Sequence, residues 1–239
     1  MFDITGRAAL VTGAGQGMGL GIAKALVAAG AKVYINDIHK DRAIAASAGI
    51  ANAFALPGDI TDPAIRQRMA ATIGDLDILC NNAGVPTDMQ NSFKQVPDLE
   101  EHHYKKQMDL NFHAVRGLCN LFVPGMKARG HGRILIISSE AHRLGVAHGL
   151  SHYSAAKAAA MGYMRALAAE TGRSGITVNG LSLGAMNNFE GSDRAAASTI
   201  IGRAGTPEDV GAAALYLCSD EASWMTGQTI ALNGGASTA

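Results

Sequence analysis

The sequence is short of cysteine, tryptophan and net charge, and each shortage excludes a class of function. Its 239 residues include 3 cysteines and 1 tryptophan, and 20 lysines and arginines balance 20 aspartates and glutamates. That balance removes the electrostatic case for a nucleic acid or an anionic membrane as partner. Cys80, Cys119 and Cys218 follow no metal or redox spacing. We therefore expect reduced thiols, no metal site and a cytoplasmic protein.

Long hydrophobic runs and targeting signals are also missing. No apolar run approaches the length that spans a bilayer, and residues 1–7 lack a basic-then-apolar signal. Apolar residues make up 48% of the chain and charged residues 17%, which is typical of a soluble protein with a sizeable core. The sequence therefore predicts a globular protein with no membrane partner.

Short apolar runs alternate with helical patterns along the whole chain, and two of the helices are predicted to start at Asp62-Pro63 and at Thr206-Pro207. The predicted strands are 8–11, 32–36, 53–56, 76–80, 133–137, 176–181 and 228–232. Strands that are apolar throughout and alternate with helices indicate a parallel sheet covered on both faces. We therefore expect an α/β fold: one Rossmann-like, doubly wound parallel sheet of about seven strands, with helices on both faces, in a single domain over 1–239.

Three further segments bear on where a site would lie. A long helix is predicted over about 98–127, and a second helix over 153–170 with Ser151 as its cap and Gly172 at its end. The connection 184–205 is irregular, with one short helix around 195–201. We expect it to act as a substrate loop, and its shortness favours an open pocket.

A glycine-rich loop follows the first predicted strand and opens the first helix. Within residues 12–19 we expect the cofactor contacts to be Gly13, Gln16, Gly17, Met18 and Gly19. Glycines there permit a tight turn and let the backbone approach a pyrophosphate. The phosphates then lie at the positive end of a helix dipole. In this strand–loop–helix–strand frame the loop predicts a dinucleotide.

Asp37 ends the second strand and bears on the choice of dinucleotide. A carboxylate there accepts hydrogen bonds from the adenosine ribose hydroxyls and repels a 2′-phosphate. Gln16 brings no positive charge that would attract that phosphate. Both features favour NAD(H) over NADP(H), although His39, Lys40 and Arg42 lie close by in sequence.

Tyr153 and Lys157 stand four residues apart on one predicted helix, and therefore on one face. A nearby ammonium stabilises a phenolate and lowers the pKa of the phenol. A tyrosine tuned in this way can pass a proton to or from an oxygen. Taken alone, the pair is more typical of an ordinary helix than of a catalytic site, so its interpretation depends on the rest of the chain.

Taken together, these motifs resemble the classical short-chain dehydrogenase/reductase (SDR) family over nearly the whole chain. The pattern Thr-Gly-x-x-x-Gly-x-Gly stands at 12–19, and Asn-Asn-Ala-Gly stands at 81–84. Asn111, Ser139, Tyr153 and Lys157 match the catalytic residues of that family. Residues 203–210 and 226–228 resemble its C-terminal signatures.

The resemblance implies a mechanism. Tyr153 is the general acid in carbonyl reduction and the general base in alcohol oxidation, and Lys157 lowers its pKa. Ser139 hydrogen-bonds the substrate oxygen, and Asn111 anchors a water that relays protons to Lys157. Further implied cofactor contacts are Asp59, Ile60, Asn82, Ala83, Gly84, Tyr153, Lys157, Gly184, Met186 and Asn188. Leu183, Asn188 and Asn233 depart from the proline, threonine and aspartate usual in the family.

The substrate is the least determined part. We expect Glu140, His142, Leu144, Leu150 and Leu183 to form the wall of the substrate pocket. The polar turn after Ser139 either recognises a charged or hydroxylated substrate or is a solvated surface turn. The leading hypothesis is an NAD(H)-dependent enzyme that interconverts a secondary alcohol and a ketone. The alternatives are a 3-oxoacyl-carrier-protein reductase that uses NADPH and a non-catalytic nucleotide-binding regulator. The resemblance implies a homotetramer or a homodimer.

Overall fold

Seven parallel strands form one sheet in the computed structural model, which describes residues 2–85, 94–145, 149–187, 197 and 199–238. In chain order the strands are Ala8–Val11 (β1), Lys32–Ile35 (β2), Ala53–Ala55 (β3), Ile78–Asn81 (β4), Gly132–Ser139 (β5), Ile176–Leu183 (β6) and Thr229–Leu232 (β7). Their order in space is β3-β2-β1-β4-β5-β6-β7. The predicted Rossmann-like doubly wound α/β sheet is confirmed.

Helices cover both faces of this sheet. They are Gly17–Ala28 (α1), Lys40–Ser47 (α2), Pro63–Ile73 (α3), Glu101–Met108 (α4), Ala114–Arg129 (α5), Ser151–Thr171 (α6) and Pro207–Cys218 (α7). Because side chains alternate along a strand, Ile78 and Leu79 join different cores. Ile78 packs in the cluster that holds α1 and α7, and Leu79 packs in the cluster that holds α3, α5 and α6.

The strand order reverses beside β1, which pairs with β2 on one side and with β4 on the other. Parallel strands present their carboxyl ends at one edge, and the reversal opens a crevice there. The loops that follow β1, β4, β5 and β6 therefore meet at this edge, and they carry most of the predicted site residues.

Two predicted helix starts are formed by the expected caps. Asp62 accepts a hydrogen bond from the Ala64 N–H at 2.8 Å, with Pro63 at the first helical position. The Thr206 side chain accepts from the backbone N–H of Asp209, whose carboxylate accepts in return from the Thr206 N–H. Each cap satisfies donors that the first helical turn leaves unpaired.

The long helix predicted over about 98–127 is observed over 101–129, but its middle is not α-helical. A π-helical turn, Asp109–His113, separates α4 from α5. Such a turn widens the helix and commonly marks a functional position. Here it carries Asn111, which is buried. Helix propensity does not distinguish an α-helix from a π-helical turn, so the sequence pattern does not predict this turn.

The predicted cap of α6 is also wrong. Ser151 is the first helical residue, and Leu150 stands at the cap position without a side-chain hydrogen bond. The predicted end at Gly172 is confirmed, but this glycine keeps a right-handed conformation and the chain turns at Gly175, where φ is +74°. Of the short helix predicted at 195–201, residues 195, 196 and 198 lie outside the described residues, and the described residues 197 and 199–201 form turns and a bend instead of a helix. Among the residues described, no helix is long and apolar enough to cross a membrane.

Candidate active site

The loop between β1 and α1 brings bare backbone to the crevice. Gly13 has φ of +60°, and a side chain on Gly19 would approach the Gly13 carbonyl oxygen to 2.4 Å. α1 starts after Gln16, which makes no side-chain cap in the described structure. The first N–H groups of α1 therefore keep their capacity to bind an anion. The residues present fit a pyrophosphate.

A cavity of about 840 Å³ opens at this loop and runs along the carboxyl edge of the sheet. This volume lies within the range of sites that hold small molecules and cofactors. Of the predicted cofactor residues, the cavity is lined by Gly13, Gln16, Gly17, Met18, Gly19, Asp37, Asp59, Ile60, Asn82, Ala83, Gly84, Tyr153, Lys157, Gly184 and Met186. Asn188 lies outside the described residues.

Sequence reasoning missed several lining residues. They are Asn36, Ile38, Arg42, Gly58, Thr61, Val85, His102, Lys105, Lys106, Asp109, Leu110, Ile137 and Ser138. One signal was available for four of them. His102, Lys105, Lys106 and Asp109 are spaced at i, i+3, i+4 and i+7, which places them on one face of a helix. That face of α4 and the start of the π-turn form a charged rim to the cavity.

Ser139, Tyr153 and Lys157 converge on the same cavity from two elements. Ser139 ends β5, and the other two lie one turn apart on α6. The Ser139 hydroxyl lies close enough to the Tyr153 phenol to lower the pKa of the phenol. The Lys157 Nζ donates to the Ile137 carbonyl oxygen at 2.8 Å and lies 5.7 Å from the centre of the Tyr153 ring. A hydroxyl, a phenol and an ammonium therefore meet beside the glycine loop.

The expected lowering of the tyrosine pKa is not observed. Burial raises the pKa of Tyr153 to about 12, and the contact with Ser139 opposes this only in part. Burial also lowers the pKa of Lys157 to about 8. Desolvation disfavours both charged forms, and the ammonium is directed at the Ile137 carbonyl. At neutral pH the phenol is therefore protonated, the form that can donate a proton.

Asn111 extends this group toward the interior. Its Nδ2 donates to the Gln107 carbonyl oxygen at 3.2 Å and to the Gln107 Oε1 at 2.9 Å. Its buried Oδ1 has no hydrogen-bond partner within the described structure. A Cβ built on Gly84 would lie 2.7 Å from that oxygen and 2.4 Å from the Lys157 Nζ. An unused acceptor beside the lysine fits a proton relay that ends there.

Asp37 and Asp59 lie at the other end of the cavity with their carboxylates held by the backbone. Asp37 accepts from the Gly15 N–H at 3.1 Å and from the His39 N–H at 2.9 Å. Asp59 accepts from both the N–H and the hydroxyl of Thr61 at 2.8 Å. Each ionised carboxylate has about four acceptor positions, so both retain capacity for ligand hydroxyl or amino groups.

The predicted substrate residues separate into three groups. Leu183 lines the main cavity. Leu144 and Leu150 line a second cavity of about 330 Å³ near Lys94. Glu140 and His142 line neither cavity: Glu140 is buried among hydrogen bonds, and the His142 Nδ1 lies 2.7 Å from the Ser139 carbonyl oxygen. The acid of this turn therefore points inward, whereas Arg143 and Leu144 are exposed.

The segments 86–93 and 146–148 lie outside the described residues, as do residues 188–196 and 198 of the predicted substrate loop, so the expected open pocket stays a prediction. Within the described ranges, no group of three or more His, Cys, Asp or Glu side chains is arranged to hold a metal ion.

The pKa of Lys157 gives a testable effect on stability. The shift from 10.5 to about 8 corresponds to roughly 3 kcal/mol at about 1.4 kcal/mol per tenfold change. Between these values the unfolded chain binds more protons than the folded one. The free energy of unfolding of the cofactor-free protein should therefore rise by roughly this amount from pH 8 to above pH 10.

Urea unfolding across this pH range measures the effect, with Lys157→Met as the control because other groups also titrate there. The difference between the two proteins isolates the lysine. A difference that does not change with pH would show that the ammonium is not desolvated.

A doubly wound sheet with a glycine loop at the reversal of its strand order defines a class, the dinucleotide-binding α/β proteins. Residues 13–237 match a family model described as enoyl-(acyl carrier protein) reductase. Among curated proteins, the chain is 36% identical over 245 residues to the 3-oxoacyl-(acyl-carrier-protein) reductase FabG of Escherichia coli K12, covering 98% of both chains. The chain belongs to the short-chain dehydrogenase/reductase family.

Two further relatives show how varied the similar proteins are. The 7alpha-hydroxysteroid dehydrogenase of Escherichia coli K12 is 33% identical over 248 residues, with 97% of this chain and 94% of that protein covered. A crystal structure of a gluconate 5-dehydrogenase from Burkholderia cenocepacia, in complex with NADP and tartrate, superposes with a TM-score of 0.88 at 29% identity, covering 100% of this chain and 98% of that one. As a member of this family, the protein is an oxidoreductase that acts on CH–OH groups of small molecules with a nicotinamide dinucleotide.

Proposed function

We propose that this protein is an NAD(H)-dependent oxidoreductase that interconverts a secondary alcohol and a ketone. The observation that carries the proposal is the convergence of Ser139, Tyr153 and Lys157 on the cavity that the glycine loop opens. A hydroxyl and a protonated phenol side by side offer two hydrogen bonds to one carbonyl oxygen.

Each residue has a distinct part in the proposed reaction. Ser139 hydrogen-bonds the substrate oxygen and fixes it against the phenol. Tyr153 gives its proton to that oxygen in reduction and takes it back in oxidation. Asn111 anchors a water that relays protons to Lys157, and Lys157 passes them to the phenol. A bound nicotinamide supplies or accepts the hydride.

The preference for NAD(H) rests on Asp37. Its carboxylate lines the cavity, is 5% exposed and is held by two backbone N–H groups. A buried, fixed negative charge accepts ribose hydroxyls and repels a 2′-phosphate.

One observation favours a second candidate, an NADPH-dependent 3-oxoacyl-carrier-protein reductase. Arg42 lines the cavity next to Asp37, and its Cβ would lie 2.8 Å from a Cβ built on Gly15. A guanidinium there offers a bidentate partner for a phosphate. The FabG relative supports the same candidate through its named activity.

Paired variants at the adenosine end separate the two candidates. Asp37→Ala removes the repulsion, so kcat/KM with NADPH should rise by at least about tenfold, or about 1.4 kcal/mol, while kcat/KM with NADH falls. Arg42→Ala should leave kcat/KM with NADH close to its wild-type value. Steady-state kinetics with both cofactors measures both effects.

The opposite pattern supports the reductase candidate. In that case the wild-type enzyme prefers NADPH, and Arg42→Ala lowers kcat/KM with NADPH by tenfold or more. The function itself is tested by NADH and NADPH oxidation over a panel of 3-oxoacyl thioesters, hydroxysteroid-type ketones, 3-oxo acids and sugar-acid ketones. Binding of NADH without turnover of any ketone would favour a nucleotide-binding regulator.

We also propose that residues 1–239 fold as one domain and that four copies associate. β7 is an edge strand with Ala231 exposed, and Trp224 is 100% exposed nearby in the chain. An exposed large aromatic side chain next to a sheet edge is typical of an interaction surface. Sedimentation should give a species of about four times 24.6 kDa, and a dimer or a monomer would contradict the tetramer.

A further inference from the structure

A buried glutamate joins the strand ends immediately behind the catalytic serine. Glu140 follows Ser139 and is 7% exposed. Its Oε1 accepts from the Ser182 Oγ at 2.5 Å, and its Oε2 accepts from the Asn233 Nδ2 and the Ser237 Oγ, both at 2.9 Å. These donors come from β6, from the residue after β7 and from the C-terminal segment. One carboxylate thus ties three strand ends and the tail together.

The charged and titratable neighbours of this carboxylate lie on its own turn. Arg143 Nη2 lies 3.5 Å from the Glu140 Oε2 and donates to the Ser237 Oγ at 3.1 Å. The His142 Nδ1 lies 3.4 Å from the Ser182 Oγ. Burial alone would raise the pKa of Glu140, but the three hydrogen bonds and the arginine outweigh it, and its pKa lies below the usual range.

The same network contacts both segments that face the nicotinamide half of the proposed site. Glu140 is bonded through the backbone to Ser139, and Ser182 lies two residues before Gly184. Asn233 packs directly on Gly184, because a Cβ built there would lie 2.7 Å from the Asn233 Cα. Ser139 and Gly184 both line the main cavity. A shift in this network would therefore move both walls.

We propose that Glu140 is a positioning residue for this reaction and that Asn233 is the partner its charge requires. The pair holds Ser139 and Gly184 in place, and this inference rests on the proposed function. It also explains why position 233 is an amide. An aspartate there would put a second carboxylate within 2.9 Å of the first, and two such groups cannot both stay ionised.

Exchanging the two groups tests the pairing. Asn233→Asp should lower kcat with NADH by about tenfold or more at pH 8, and lower pH should relieve the loss because the two acids then share a proton. The double variant Glu140→Gln/Asn233→Asp restores one amide and one carboxylate, so it should recover most of the lost kcat. Ser237→Ala removes a single donor to Glu140 from the half-buried tail and should give a smaller loss of kcat that low pH does not relieve.

Binding of ADP-ribose distinguishes positioning from a general loss of structure. This probe lacks the nicotinamide, so its affinity should stay unchanged in all three variants, whereas kcat should fall only in Asn233→Asp and Ser237→Ala. Glu170→Gln, which removes an exposed carboxylate on α6, is the matched control and should leave kcat unchanged. The proposal is overturned if Asn233→Asp matches the wild type at every pH, if the double variant is no better than Asn233→Asp, or if ADP-ribose affinity falls in parallel with kcat.

Failure of the proposed function can be distinguished from failure of this pairing. If the wild-type protein turns over no ketone, thermal unfolding still decides the pairing. A lowered Tm of Asn233→Asp that recovers at low pH and in the double variant supports the carboxylate–amide pair. An unchanged Tm refutes it.

Discussion

Replacing Tyr153 with phenylalanine is expected to lower kcat by about 10³-fold, within the range of general acid–base catalysis. The tyrosine is 8% exposed, so phenylalanine fills the same space but has no proton to give. NADH affinity should change little, because the glycine loop and Lys157 are untouched. Ketone reduction followed at 340 nm (the NADH absorbance) and an NADH titration measure the two quantities separately.

Tyr216→Phe is the matched control for this experiment. Tyr216 lies on α7 and packs edge-on against Phe2, outside the cavity, so its loss should leave kcat unchanged. A Tyr153→Phe enzyme that kept more than about a tenth of wild-type kcat would show that another group moves the proton. Loss of NADH binding together with turnover would point instead to a damaged site.

Ser139→Ala is expected to lower kcat by about 10²- to 10³-fold, the usual effect of removing one donor to a developing oxyanion. The variant should also raise the pKa of Tyr153 further, because the contact with Ser139 opposes the effect of burial. Alcohol oxidation needs the phenol deprotonated, so its rise with pH should move to higher pH in the variant. The pH profile of kcat in the oxidation direction measures this shift.

Ser138→Ala tests whether the effect belongs to one hydroxyl. Ser138 is the preceding residue of β5, is 2% exposed and lies 3.5 Å from the His142 Nδ1. Because adjacent side chains of a strand point to opposite faces, we expect a much smaller loss of kcat than in Ser139→Ala. Equal losses from the two variants would mean that either the assignment to Ser139 or the geometry of the strand end is wrong.

The fold was predictable because its signals are local and agree with one another. The apolar run 8–11 became β1 with the same bounds, and the caps at Asp62 and Thr206 started their helices as expected. Strand–helix alternation then left few topologies, since parallel crossovers share one hand. The predicted cap at Ser151 was wrong because a serine near a helix start is commonly a cap, whereas here it is the first helical residue.

The parts of the site whose backbone is fixed by local motifs were predictable. The parts whose side-chain direction or pKa depends on tertiary contacts were not. The glycine loop and the Tyr153–Lys157 pair reached the cavity because their spacing sets their geometry. The inward direction of Glu140 depends on donors about 40 to 100 residues away in sequence, which no local pattern reveals. The raised pKa of Tyr153 depends on burial by the whole fold. The π-turn at Asn111 has no propensity signal.

A crystal structure of the complex with NADH tests the central claim most directly. In that structure the adenosine ribose should lie at Asp37, the pyrophosphate at the start of α1, and the reactive carbon of the nicotinamide beside the Tyr153 hydroxyl and Ser139. A dinucleotide bound in the reverse direction, or with its nicotinamide away from these two hydroxyls, would contradict it.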